Sequence, residues 1–522
     1  MTPTTREYYA LYTRCRTAFR MAAEEQGWQL TNVSHPLSSD TMAYGVDVAR
    51  IGAPDAKQVL FVLSGVHGTE LEAGAIAQQD LLHRLPDECP EHTAIVLIHG
   101  VNPYGCAHLS RTDENNVDPN RNVRARLDQT PRNEAYDQLH AALCPQDWEG
   151  PVRDAAEQQL AAFIEQNGMR VLTQEVLRGQ YDHPDGLFYG GRSVSWTVQT
   201  LQSLLETHAK GATRLAILDI HTGVGPKGWG ELIRLDRAAV EGAEWSGIGG
   251  CVCDLADRVP TEQLPLKVII EFGTRDFRRV VDALRGDTWL RYHEATEAQR
   301  ADIKKQLYTA LVCANPEWRA GVISQTRTAA RALLRDLCGA ATAADSALDR
   351  FGQAVSAAQA PGDAYRALQA LSQTVIGARL FTIMELVDDT RAGQRIYSSE
   401  PASYPVSGII PLKDNLWYDT AVRQQRPFVA NDASGLQAVF ADHELIASLG
   451  CASVLNLPIT LDGKLEATVN LLDVAGHYDA ERVALAQDTL TEPARAALRM
   501  ERSLRECHAQ NQNSDHPTIE TA

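Results

Sequence analysis

From residue 59 the chain alternates two hydrophobic rhythms. Short stretches such as VLFVLSG (59–65), AIVLIHG (94–100), RLAILDIHTG (214–223) and KVIIEFG (267–273) are apolar at nearly every position. Between them lie longer stretches with helical spacing, the first being AIAQQDLLHRL (75–85). Unbroken apolar runs of this length mark strands buried on both faces, and their alternation with helices predicts an α/β unit with a sheet flanked by helices. Each run ends in a turn carrying glycine, His, Asn or Glu. The carboxyl ends of strands are where sites form in such sheets.

The rhythm changes after about Thr328. The segment RTAARALLRDLCGAATAADSALDRFGQAVSAAQAPGDAYRALQALSQ is alanine-rich and helical, broken at Pro361-Gly362. Next come RLFTIMELV and the paired runs SVLNLPIT and KLEATVNLLDV, joined through Leu461-Asp462-Gly463. Asp-Gly between two such runs predicts a hairpin, and a last helix from about Asp479 closes a smaller α+β unit with an antiparallel sheet. The expected division is 1–335, a helical linker over 336–360, a second domain over 361–508 and an unstructured tail over 509–522.

Length agrees with this division, since 522 residues exceed one ordinary core. An apolar fraction of 44% and a charged fraction of 22% are those of a globular protein. A net charge of -18 argues against a nucleic-acid or anionic-membrane partner, which would be approached against like-charge repulsion. The opening MTPTTREYYALYTRCRTAFR has no apolar core followed by a cleavage site, and no apolar run reaches membrane-spanning length, so the expected location is cytoplasmic. The ten cysteines are irregularly spaced and read as reduced thiols. Cys251 and Cys253, one residue apart on a segment read as extended, would point to opposite faces and serve packing.

Four segments carry the candidate chemistry. FVLSGVHGTELEAG (61–74) places His67 three residues before Glu70, where a turn enters a helix. NPYGCAHLSRTDENNVDPNRN (102–122) is too polar for a packed element and reads as a long functional loop. In ILDIHTGVG a strand ends in Asp219, His221 and Thr222, and in VIIEFGTRD Glu271 follows three apolar residues. A carboxylate there is costly to bury unless it is paired, coordinated or raised in pKa for acid/base work. The His-Glu pair alone decides nothing. Its company does: a catalytic zinc takes three N or O donors and leaves one position for water, and His67, Glu70 and His221 would supply that set, with Glu271 left as the base.

These phrases, together with GQYDHPDGLFYGG (179–191), resemble the zinc carboxypeptidase superfamily, which embraces carboxypeptidase A-like and succinylglutamate desuccinylase-aspartoacylase enzymes. Within it the chain is most similar to a bacterial branch described as a domain of unknown function, over roughly residues 30 to 330. The resemblance implies one Zn2+ per chain on His67, Glu70 and His221, with Glu271 as the catalytic base. It further implies Arg111 as polariser of the scissile carbonyl, and Asn120 with Arg121 as the grip on a substrate carboxylate. Tyr181, His183 and Tyr189 are candidate substrate contacts from 179–191, unless that loop simply packs on the sheet. Asp113 stands where similar sequences lead one to expect Asn.

The second unit, from about 345 to 505, resembles a GAF domain, a small-molecule sensor fold. The resemblance rests on ARLFTIMELV, LWYDTAVRQQRPFVANDA and GCASVLNLPITLDGKLEATVNLLD. Nothing in these phrases marks a cyclic nucleotide, bilin or haem, and Cys451 reads as a buried structural thiol. Two functions compete. One is a zinc-dependent metallocarboxypeptidase or N-acyl amino acid amidase, regulated or homodimerised by its second domain. The other is a metabolite-sensing regulator whose first domain only binds.

Overall fold

The computed structural model describes residues 2–236, 249–387 and 391–514. The chain divides into two compact units, Met1–Ala341 and Thr342–Ala522.

The first unit is built on seven strands: β1 Gln29–Ser34, β2 Gly45–Gly52, β3 Gln58–Leu63, β4 Thr93–His99, β5 Arg214–Lys227, β6 Gly230–Arg234 and β7 Leu266–Gly273. Their order in the sheet is β1-β2-β4-β3-β5-β7-β6. The four central strands β4, β3, β5 and β7 run parallel, and antiparallel strands complete both edges. The unbroken apolar runs are explained by two separate cores. In β3, Leu60 and Val62 join one core with helices Leu71–Arg84 and Pro316–Leu337, while Val59, Phe61 and Leu63 join another with helix Trp196–His208. Helices Glu134–Leu143, Met169–Leu177, Phe277–Tyr292 and Glu297–Leu311 share a further apolar cluster. Among the described residues no helix is long and apolar enough to cross a membrane.

Parity along the strands places the site. In β5, Leu215 and Ile217 face the second core, so Asp219 and His221 continue that face; in β7, Ile269 does the same and Glu271 follows it. His221 and Glu271 are directly paired across the two strands.

The 102–122 segment departs from the expected plain loop. Pro103–His108 forms a short helix and Pro119–Arg121 a turn of 3-10 helix. Its polar side chains are buried because they hydrogen-bond inward: Asn116 Nδ2 donates to the carbonyls of Pro184 and Gly186, at 2.9 and 3.0 Å. Cys251 and Cys253 correct another expectation. The segment winds into a 3-10 helix, Val252–Arg258, instead of staying extended, so both thiols enter the same core.

The second unit carries β8 Leu380–Val387, β9 Ala392–Ser398, β10 Ile410–Pro411, β11 Phe428–Ala430, β12 Ser453–Leu461 and β13 Lys464–Asp473. All pair antiparallel in the order β10-β9-β8-β13-β12-β11. Asp462 and Gly463 both have positive φ, +54° and +83°, as a two-residue hairpin turn requires. Glu501, buried on the closing helix Ala480–Ser514, accepts from the backbone N–H groups of Gly362 and Ala364. It thereby caps helix Asp363–Val375, whose first residues have no side-chain cap of their own. Residues 343–356, read from sequence as linker, form a helix packed on Asp363–Val375. Of the expected unstructured tail, 509–514 continue the closing helix, and 515–522 lie outside the described residues.

Candidate metal centre

β3 ends at Leu63, and Ser64-Gly65-Val66 turn the chain into a 3-10 turn, Gly68–Glu70, at the head of helix Leu71–Arg84. Two glycines make that turn possible. Gly65 has φ +67°, and a Cβ on Gly68 would lie 1.9 Å from the Gly105 carbonyl carbon. The turn sets His67 and Glu70 side by side and brings them against His221 at the end of β5.

The three side chains are buried and their donor atoms converge. His67 Nδ1 lies 3.0 Å from Glu70 Oε1 and 3.1 Å from His221 Nδ1, and His221 Nδ1 lies 3.0 Å from Glu70 Oε2. Each imidazole turns its other nitrogen to a carboxylate: His67 Nε2 is 3.1 Å from Asp118 Oδ1, and His221 Nε2 is 2.6 Å from Asp219 Oδ2. From sequence, Asp219 stands at the strand end without a role, and Asp118 is not singled out. Asp219 is detectable as the residue two before His221 on a strand, hence on its face; Asp118 has no such signal within a polar segment.

Electrostatics follow from this packing. Burial pushes the Glu70 carboxyl up, but His67 and His221 against it outweigh that and hold it well below the usual range. Asp118 is likewise held low by Arg111 and His67 in spite of burial. Burial opposes charge on His221, yet Asp219 and Glu70 raise its pKa well above the usual value. Glu271 moves the other way: burial, and then the charge of Glu70, push its carboxyl up. Its Oε1 accepts from the Val224 N–H at 3.1 Å. The two neighbouring carboxyls are thus pushed in opposite directions.

Arg111, Asn120 and Arg121 line the same cavity as the triad and Glu271. Arg111 Nε donates to Asp118 Oδ2 at 3.0 Å, and its guanidinium lies 4.5 Å over the Phe188 ring. Asn120 Oδ1 accepts from the Val252 N–H, and its Nδ2 lies 3.0 Å from His221 Nε2, the nitrogen that faces Asp219. Arg121 is only 3% exposed and donates to the carbonyls of Leu177 and Asn120. Among the described residues no carboxylate forms an ion pair with it.

Tyr181 and His183 are not brought to this cavity. The Tyr181 hydroxyl is buried, donating to the Arg121 carbonyl and accepting from Arg124 Nε. His183 Nε2 pairs with Asp137 at 2.9 Å, and its ring stacks on His140 with centroids 3.9 Å apart. Tyr189 is absent from the lining as well; the residue of that loop which reaches it is Phe188. An apolar ring beneath two guanidinium groups leaves no motif for sequence reading to find.

Comparison with known proteins places both units. No curated protein matches the chain. A GAF domain model matches residues 327–496, and the C-terminal region is a GAF domain. Among solved structures, the GAF domain of a two-component sensor histidine kinase from Bacillus halodurans is 16% identical, covering 29% of this chain and 100% of that one, with TM-score 0.24. A chain from Shewanella amazonensis SB2B, provisionally described as a metallopeptidase, is 14% identical, covering 53% of this chain and 91% of that one, with TM-score 0.29. The model described as Protein of unknown function (DUF2817) matches residues 8–246 and 242–325. With more than half of its length so matched, the chain belongs to the DUF2817 family.

Proposed function

We propose that the first unit is a zinc-dependent hydrolase cleaving an amide or peptide bond next to a free carboxylate, as a metallocarboxypeptidase or an N-acyl amino acid amidase does. The observation that carries this reading is the convergence of His67, Glu70 and His221 with both distal imidazole nitrogens bound to aspartates. Carboxylate-bound histidines of this kind are the usual outer support of zinc ligands. Donor separations of 3.0 and 3.1 Å are close to the ~3.3 Å edge of a tetrahedron with zinc-like bond lengths. Nitrogen and carboxylate donors without a thiol suit a catalytic zinc.

A zinc ion held there supplies Lewis-acid polarisation and a water of lowered pKa. The chain's own residues do the rest. Glu271, in its carboxylate form, takes the proton of the attacking water and delivers it to the leaving amine. Arg111, fixed by Asp118 and Phe188, faces the carbonyl oxygen and stabilises the charge it develops. Arg121, a buried cation without an ion pair among the described residues, takes the substrate carboxylate through its planar fork. Asn120, anchored through its Oδ1 by the Val252 N–H, lies beside His221 and Arg121 in the cavity wall.

Zinc-loaded protein is to be screened on N-acyl amino acids and dipeptides. Glu271→Gln is expected to keep one zinc per chain and lose turnover by about 100-fold or more. Arg121→Ala is expected to weaken hydrolysis of substrates with a free α-carboxylate and to spare their amidated forms. Protein that holds no zinc, or a Glu271→Gln variant with full activity, would overturn the mechanism.

A further inference from the structure

The GAF domain encloses a second cavity, of about 410 Å³, within the range of small-molecule sites. Most of its wall is apolar, with Met384, Leu412, Phe440, Ile446, Val454 and Leu472 among the residues lining it. Its floor is different. Asn456, Asn470 and Thr382 are directly paired across β12, β13 and β8, so three polar side chains form a row through an otherwise apolar surface. Asn456 Nδ2 donates to Asn470 Oδ1 at 2.5 Å, and Asn470 Nδ2 donates to Thr382 Oγ1 at 3.2 Å. The row ends unsatisfied. Asn456 is 3% exposed, and its Oδ1 has no hydrogen-bond partner. Trp417, 5% exposed in the same cavity wall, has an unpartnered indole N–H.

An unsatisfied acceptor and an unsatisfied donor, both buried and both lining one cavity, are costly in a folded protein unless something else completes them. Apolar residues at both positions would cost nothing of the kind. The charged groups of the cavity give no comparable handle. Arg395 lies over the Tyr404 ring, 3.4 Å from Asp442, and the Tyr404 hydroxyl donates to that same carboxylate, while Lys413 stands in solvent.

We infer that this cavity binds a small neutral amide, a carboxamide or lactam carried on an apolar, ring-sized body. An amide offers the N–H that Asn456 Oδ1 lacks and the carbonyl that the Trp417 N–H lacks. Because it carries both a donor and an acceptor, it also complements the Asn456 carboxamide in either orientation of that group. A carboxylate has no donor for Asn456, and an ammonium has no acceptor for Trp417. Either charge would also lose its hydration against the apolar wall: Asp442 is already engaged by Arg395 and Tyr404, and Lys413, exposed to water, offers an anion only a screened partner.

Benzamide, benzoate and benzylamine have nearly the same size and differ in this one respect. Each is to be titrated into the full chain labelled with 13C-methyl methionine. Met384 lines the cavity and is one of six methionines, so its methyl signal reports binding there and is insensitive to benzoate held at Arg121. Benzamide is expected to shift the Met384 signal with an affinity at least about tenfold above benzoate and benzylamine. Asn456→Leu and Trp417→Phe are each expected to weaken benzamide several-fold, the signal of Met500 on the closing helix of the same domain certifying its fold. The inference fails if either charged analogue matches benzamide, if both variants bind it unchanged, or if benzamide leaves the Met384 signal unmoved up to its solubility limit. Should one variant fail to fold, the selectivity of the wild-type protein decides alone.

Discussion

The imidazoles of His67 and His221 each commit one nitrogen to an aspartate, and that commitment fixes which nitrogen remains for a metal. Asp113 shows the opposite situation, a buried carboxyl with too few partners. Its Oδ1 accepts from the N–H groups of Asn115 and Val117, while its Oδ2 has none. Burial, and then the charge of Glu114, push its pKa up to about 7. The native state therefore holds this proton more tightly than the unfolded chain does. The stability that follows is complete below the ordinary Asp range and is lost as pH rises through about 7. Asn in its place keeps the accepting oxygen and never ionises. Asp113→Asn is thus expected to come closest to the wild type below about pH 4 and to gain on it progressively as pH rises towards 8.5, by on the order of 3 kcal/mol in denaturant titrations. A difference that did not grow with pH would refute the assignment.

At the scale of elements, the strands were legible because burial on both faces leaves a continuous apolar run, and β3 divides its residues between two cores as that pattern demands. The hairpin at Asp462-Gly463 was legible for a local reason, the two positive φ angles that this pair tolerates. What sequence hid was irregular backbone. Nothing in GGCVCDLAD announces a 3-10 helix, and nothing in the 102–122 segment shows that its polar residues bond inward. The candidate site was partly legible for the same reason. His67, Glu70, His221 and Glu271 stand at strand ends, where period and position are readable, whereas Asp118 and Phe188 act from irregular loops whose course only tertiary packing sets. The tightest local demand is at Gly68, where the 3-10 turn presses on the backbone of helix Pro103–His108. Backbone there cannot yield as a flexible side chain would. Gly68→Ala is expected to destabilise by about 1–3 kcal/mol and to lower zinc affinity by displacing His67, with unfolding and metal titration as the checks. Wild-type values for both would show that the turn has slack.

The whole molecule is two units with separate cores, and every residue assigned to the proposed metal site lies in the first. A fragment of residues 1–341 is therefore expected to fold and to bind zinc with the stoichiometry of the full chain, read by circular dichroism and metal analysis. A fragment that folds but holds no zinc would show that the GAF domain completes the site. The sheet order adds a consequence for biosynthesis. β3 pairs with β4 on one side, close in sequence, but on the other it pairs Gln58 with Arg214. A nascent chain leaving the ribosome carries His67 and Glu70 long before His221 and Glu271 exist. Throughout that interval the free edge of β3 exposes unpaired N–H and C=O groups on an apolar strand, the kind of surface that joins other chains. A chain interrupted between β4 and β5 therefore carries His67 and Glu70 on an apolar strand with one open edge, and lacks His221 and Glu271.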